Sequence, residues 1–347
     1  TDGQNGVSVI MNSPPLNGRY QGRSGYYETI VTQSVPTFFM RMFSVSKVDM
    51  AGRSVSHLGG VSSGGCTFVM DPDDEGAMRV DGTFTTECGV RVNSSNASKA
   101  LWHAGGTMTA TFFKVFGGYT GPANGAVTTG VARAADPLAT LAAPPFPSTH
   151  YYGVVVSVSG TTLNPGIYHG GIKINEQKNV TFNPGIYVLN GGNLYSAGKN
   201  VLTGNGVTFY FTAGLNVPSP PATFNVASTN SMGTVLINGG TADLGTTNLI
   251  APRSGEGEGI LFMQDRTKTV SSPFDIQGQN QTNLEGIIYI PNNDLLYQNE
   301  TYNNGKYNVL VCKTLRLDGG GAVLHMGSDF TVLSSGNPLK SGPVLAE

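Results

Sequence analysis

Charge is scarce in this chain. Only 12% of its 347 residues are Asp, Glu, Lys or Arg, and 20 basic against 22 acidic side chains leave a net charge of −2. That is about half the usual charged share. It excludes a basic field that would hold nucleic acid and an acidic field that would hold a polycation. No apolar run reaches the roughly 18 residues that a membrane-crossing helix needs. Histidines stand at positions 57, 103, 150, 169 and 325 without metal-ligand spacing. His169 reads as a packed turn residue. No Ser/His/Asp order, phosphate loop or dinucleotide fingerprint occurs.

What is plentiful points to β structure. Gly 48 and Pro 19 supply turns, and hydrophobic residues at 39% supply more core than a disordered chain would have. Leu-Asn-Pro-Gly-Ile-Tyr at 163–168 returns as Phe-Asn-Pro-Gly-Ile-Tyr at 182–187, 19 residues later. Pro fixes φ for the second turn position and Gly accepts positive φ at the third. Turn and strand recurring near 20 residues describe a solenoid, whose coils bury apolar residues only by stacking on their neighbours. Apolar cores recur at 180–182, 207–211, 235–237, 260–263, 287–290 and 309–312. The spacing predicts a right-handed parallel β-helix over 60–347, interrupted by a Gly/Ala/Pro-rich crossing at 117–150. Strands this short also fit a β sandwich.

Residues 1–59 differ and predict a small α/β module. Val7 to Met11, Tyr26 to Gln33 and Ser46 to Val55 read as three strands, with Val48 and Met50 inward and Asp49 and Ala51 outward. Phe39, Met40 and Phe43, just after Pro36, have helical spacing. Such a sheet buries one face poorly, so Phe38, Phe39, Met42 and Phe43 are expected on a face that takes another apolar element, either a preceding helix or a neighbouring subunit. Further on, Cys66-Thr67-Phe68-Val69-Met70 is answered by Cys88-Gly89-Val90-Arg91-Val92 and Ala77 to Val80 by Lys99 to Trp102, both at an offset of 22. Corresponding residues in stacked coils lie about 4.8 Å apart, within disulfide reach. A Cys66–Cys88 bridge is therefore expected, and with it an oxidising compartment. Cys312 reads as a buried core residue.

Several stretches together resemble the TadE/TadG proteins of the bacterial Flp (Tad) pilus. They are Asn12 to Gly18, Tyr26 to Gln33, Val35 to Phe39, Leu163 to Tyr168, Gly206 to Tyr210, Gly259 to Arg266 and Pro343 to Glu347. The resemblance covers almost the whole chain. It implies a membrane-inserted N-terminal helix followed by an exported, non-catalytic structural domain that builds or anchors surface pili. This sequence lacks such a helix and begins at Thr1, as a processed or released product would. Partners would be other copies of the chain, pilus components or surface glycans. The metal-ion motif Asp-x-Ser-x-Ser of some relatives is missing.

Candidate chemistry is thin. Asp71, Asp73, Asp74 and Glu75 crowd one turn and would be the only holders of a cofactor, Ca²⁺, although their spacing is not that of a calcium loop. Gly255 to Gly259 reads as a charged loop and Asp265-Arg266 as an ion pair. A polysaccharide-degrading β-helix would need two carboxylates facing across a cleft. Asp243, Asp265, Asp275, Glu285 and Asp294 are scattered over successive coils and could in principle align, but no paired-carboxylate signature marks them, and the chain reads as non-enzymatic. A carbohydrate-binding one would show Tyr195, Tyr210, Tyr289 and Tyr297 as an exposed stripe. Asn at turns is expected to form ladders with Asn one coil away.

Overall fold

The structure is a computed structural model, and it describes residues 6–23, 26–38, 43, 45–57, 65–238, 245–270, 272–277, 279–298, 302–319, 321–339 and 344–345. Two compact units emerge, Thr1–Ser63 with Leu339–Glu347, and Gly64–Pro338. The predicted boundary at 59/60 lies outside the described residues. The last residues, expected in the solenoid, instead return to the first unit.

The first unit is an antiparallel sheet. Strands Val7–Asn12, Tyr26–Pro36 and Lys47–His57 pair in chain order, and the short strand Val344–Leu345 adds to the third. The helix expected around Phe39, Met40 and Phe43 falls largely outside the described residues, so this unit is described as sheet rather than α/β.

The second unit is a parallel β-helix. Its 24 strands form one sheet, mostly paired in parallel with strands about 20 to 50 residues away in sequence. Antiparallel pairing of neighbours, which a sandwich requires, is absent among its described strands. Each coil lays down up to three strands. Coil one holds His150–Val156 and Thr161–Leu163, coil two Gly166–Ile174 and Asn179–Phe182, and coil three Gly185–Asn190, Gly192–Ala197 and Val201–Asn205. Coil seven is Asn308–Cys312, Leu315–Asp318 and Val323–Met326.

Coil eight comes from a distant, earlier part of the chain. It is Thr67–Val69 and Met78–Thr86, which pair with coil seven through Leu310↔Thr67, Leu317↔Val80 and Val323↔Thr83. Gly89–Val92 and Leu101–Val115 build coil nine and start coil ten, and Asn124–Thr128 ends the stack. Coils therefore run 150–326 and then 65–128. The crossing between Thr128 and His150 has to travel from one end of the solenoid to the other.

Side-chain parity explains the core. On one face of the coils, Tyr187, Phe209, Phe262, Ile288 and Leu310 stack inward in register. Their aromatic members lie 5.1 Å (Tyr187–Phe209) and 5.4 Å (Phe209–Phe262) apart between ring centres, the offset geometry that adds to area burial. The outward row between them is also apolar: Val188, Tyr210, Met263, Tyr289, Val311 and Phe68 are all buried. The crossing runs over this row. Phe146 packs on Tyr210 at 5.6 Å, Asp136 accepts from the Tyr289 hydroxyl at 2.6 Å, and Arg266 donates to the carbonyls of Leu138, Ala139 and Leu141. At the far end Arg133 donates to the carbonyls of Asn93 and Pro72. The Gly/Ala/Pro-rich segment is thus an ordered strap.

The duplicated motif has a local reason. In each copy the Tyr hydroxyl donates back to its own turn, Tyr168 to the Asn164 carbonyl at 2.6 Å and Tyr187 to that of Asn183 at 2.7 Å. Asn183 in turn donates to the Asn164 side chain at 2.7 Å, the ladder expected at turns, and Asn283 to Asn248 at 2.9 Å forms another between register partners inside strands. The 19-residue offset holds for Leu163↔Phe182 but becomes 21 at Gly166↔Tyr187: the copies are equal in length, and the pairing slips by two residues across the turn without changing parity. The offset of 22 is likewise corrected: strands pair at 23, as Thr67↔Val90 and Met78↔Leu101. A one-residue slip would have turned each strand inside out.

Cys66 and Cys88 do form a disulfide, with Cα atoms 5.8 Å apart, because Cys88 sits at the corner before its strand. Cys312 is buried and free. Reducing the bridge, or replacing both cysteines by Ser, is expected to lower unfolding stability by about 3 kcal/mol for a loop of this size, read as an earlier denaturation midpoint. Within the inward row Tyr168, Leu189, Phe211, Gln264, the amide of Gln264 is buried with neither atom hydrogen-bonded to protein. Gln264→Leu is therefore expected to stabilise the fold by about 1–3 kcal/mol, measured the same way.

Candidate association surface

Register sorts the small sheet into two unlike faces, since residues directly opposite in an antiparallel pair point the same way. Val9↔Val31↔Gly52, Val7↔Gln33↔Met50, Met11↔Thr29↔Ser54 and Val35↔Val48 share one face. It holds no charged residue. Met11 is 68% exposed and Met50 62%, and Val31 and Val48 are also exposed. The inward placement expected for Val48 and Met50 is overturned: the strand alternates as read, but nothing among the described residues buries the face they occupy.

The opposite face is mixed and largely open, with Ile10 51% exposed and Lys47, Asp49 and Ala51 also exposed, and the loop after Asn12 covers only its end around Glu28. Glu28 is fully buried there and accepts from Arg53 Nε at 2.6 Å, Asn12 Nδ2 at 2.8 Å and the Leu16 amide at 3.2 Å. The Arg53 and Asn12 hydrogen bonds hold its carboxyl below the usual carboxylate range. Arg53 reaches on to the Asn17 carbonyl, so the loop after Asn12 is tied across this side. A buried charge with three donors fixes which face the loop covers. The apolar face is left to solvent. Phe38 and Phe43 are exposed as well, at 85% and 79%, while Phe39 and Met42 lie outside the described residues.

The acidic turn does not gather into a metal centre. Asp71 turns inward, where one oxygen accepts from the amides of Asp73 and Asp74 at 2.9 and 2.7 Å and the other faces Lys313. Glu75 pairs with Lys99 at 3.0 Å and Asp74 faces Arg316 at 3.9 Å. Among the described residues no three His, Cys, Asp or Glu converge for a metal. The scattered carboxylates are also separately engaged: Asp265 with Thr212 and Thr267, Asp275 with Gln277, Glu285 with Arg253, and Asp294 with Thr314. Burial raises the Asp275 carboxyl. For Asp265 burial acts upward too, but the Thr267 and Thr212 hydrogen bonds outweigh it and the group stays low. Asp243 lies outside the described residues. Arg266, expected to pair with Asp265, serves the strap instead, and it stands over the Tyr289 ring at 5.1 Å. The tyrosine stripe is absent, since Tyr210, Tyr289 and Tyr297 are buried. No helix among the described residues is long and apolar enough to cross a membrane.

One polar constellation escaped the sequence. His169, in a strand rather than a turn, is fully buried between Tyr152 and His150, stacked 5.0 and 5.2 Å away. The Leu215 amide donates to Asn190 Oδ1, which orients the Asn190 amide. Asn190 Nδ2 then donates to His169 Nδ1 at 2.8 Å, so the proton of His169 is on Nε2 and goes to His150 Nδ1 at 2.9 Å. The His169 ring is neutral in this relay. The only sequence signal was two histidines 19 residues apart, the offset of the duplicated turn.

Compared with protein-family models, curated proteins and solved structures, the chain has no match. Fold and surface therefore define it as a parallel β-helix carrying a small antiparallel sheet with one apolar side.

Burial first, and His150 second, lower the His169 pKa below its ordinary 6.5. A lowered histidine stabilises the fold above its unfolded value, and the contribution is lost as pH falls through the folded one. The melting temperature is expected to drop from pH 7.5 to pH 5. His169→Gln, which keeps an acceptor for Asn190 without a titrating group, is expected to flatten that slope.

Proposed function

We propose that the protein is a non-enzymatic, exported structural component of the bacterial cell surface, a subunit or accessory of a Tad-type pilus or related filament. The reading is carried by the uncharged apolar face formed by Val7, Val9, Met11, Val31, Val35, Val48 and Met50. An exposed apolar patch on a folded domain marks an interaction site, and this one is displayed by a sheet on whose other side Glu28 and Arg53 tie down the loop after Asn12. The resemblance in the sequence to TadE/TadG proteins supplies the pilus context. The β-helix acts as a stiff spacer whose carboxylates are individually bonded, which suits a mechanical rather than a hydrolytic task.

The test puts charge on the face. Met11→Glu with Met50→Glu changes only exposed side chains, so stability is expected to shift by no more than about 0.5 kcal/mol per site. In the bacterium that makes the protein, the variant is expected to be secreted and folded but lost from the sheared surface-filament fraction that holds the natural chain. Undiminished incorporation would refute the role of the face. Reducing-sugar release from a panel of polysaccharides would replace the structural reading with an enzymatic one.

A further inference from the structure

Coils seven and eight meet at a seam where the chain is not continuous. Across it Leu310 N donates to the Cys66 carbonyl at 2.7 Å, Met70 N to that of Cys312 at 2.9 Å, Leu315 N to that of Ala77 at 2.8 Å and Thr83 N to that of Ala322 at 2.8 Å. Arg79 adds an ion pair with Asp318 at 2.6 Å. At Gly82 the coils approach so closely that a Cβ would lie 2.5 Å from the Ala322 carbonyl oxygen. The seam is paired on all three sides of the coil, yet one side belongs to 65–128 and the other to 308–326.

We propose that this seam also forms between two copies of the chain, each seating its 1–128 segment on coil seven of the other, in a segment-exchanged dimer. Exchange keeps every seam hydrogen bond, because the two surfaces are the same within and between molecules. It also keeps the pairing of Val344 and Leu345 with His57 and Ser56, since that strand travels with the 150–347 segment and its partner with 1–128. The inference is independent of the pilus reading.

The strap decides which form is made. From the His150 row to the Thr128 row the solenoid has ten strand spacings, about 48 Å. The roughly 22 Cα steps from Thr128 to His150 reach at most about 79 Å, so the chain closes on itself with moderate slack. In two antiparallel solenoids side by side, the last coil of one lies beside the first coil of the other. The strap then needs only about 20 Å, two sheet-packing distances. Within one chain the strap is held on the coils by Phe146 on Tyr210, Asp136 on Tyr289 and the carbonyl bonds of Arg133 and Arg266, and these contacts together with effective concentration favour self-closure.

Deleting residues 137–146 leaves about 12 steps, a reach of at most about 43 Å, which is too short for self-closure. The shortened chain is expected to be a dimer or larger by light scattering, with the β-sheet circular dichroism of the full chain; a folded monomer would overturn the proposal. A second measurement decides if the shortened chain does not fold. Thr83 and Val323 are direct register partners. With Cys312→Ala in both, an isotope-labelled Thr83→Cys chain and an unlabelled Val323→Cys chain are unfolded without reductant, mixed and refolded. A covalent one-to-one heterodimer is expected, its share rising roughly in proportion to refolding concentration. A chain carrying both substitutions serves as the control that bonds within itself. Absence of the heterodimer at every concentration would refute exchange.

Discussion

A short run of parallel ladder between residues some 240 positions apart holds the solenoid together. Leu310, Val311 and Cys312 pair with Thr67, Phe68 and Val69, and without that contact neither segment has a second surface on which to bury its last coil. A coil of a β-helix is not a stable object by itself. The inward rows of coil seven, ending at Leu310 and Cys312, and those of coil eight, starting at Thr67 and Val69, are two halves of one core. The crossing is then a geometric necessity, since the chain that completes coil ten must travel back to begin coil one.

The scarcity of charge has its origin in the same arrangement. In a solenoid the outward side chains normally meet water, and these positions would carry the charged residues. Here one outward row is roofed by the strap, so Tyr210, Met263, Tyr289, Val311 and Phe68 are as buried as the true interior. Burial and the neighbouring Asp136 push the Tyr289 hydroxyl well above the usual phenol range, which keeps it a donor to that carboxylate. Tyr210, under Phe146, is pushed up to about 12 by burial, with Asp265 adding to it. Arg266 donates to the carbonyls of Ala139 and Leu141 and shares that of Leu138 with the Leu141 amide, so an irregular, Pro-rich segment has its backbone acceptors met.

Much of this was legible, and the illegible part has a definite cause. Asn-Pro-Gly-Ile-Tyr announced stacked coils because turn chemistry and strand parity are local. The Cys66–Cys88 pair could be read because its two coils are neighbours in chain as well as in space. The coil order could not be, since nothing in Val309 to Cys312 or in Thr67 to Val69 distinguishes the next coil in space from the next in sequence. Register was misjudged by one residue at Thr67↔Val90, where a corner absorbs the difference. At the small sheet the alternation of Val48 and Met50 was correct, but which side is covered depended on Glu28, whose three donors come from 12 to 25 residues away. His169 belongs to the same category, because its partner Asn190 comes from the next coil.

The coil order also imposes a timetable. Synthesis from the N-terminal side produces coils eight and nine long before coil seven, whose Met326 finally meets Thr67 across a separation of 259 residues. At usual rates of translation the wait is on the order of 10 to 50 seconds. Throughout it, the coil-eight edge that will receive Leu310 is an open template for any passing strand. The Cys66–Cys88 bond spans only 22 residues and needs nothing that is made later. It can close first and hold two coils in register until their partner arrives, so its greatest service falls before the solenoid exists.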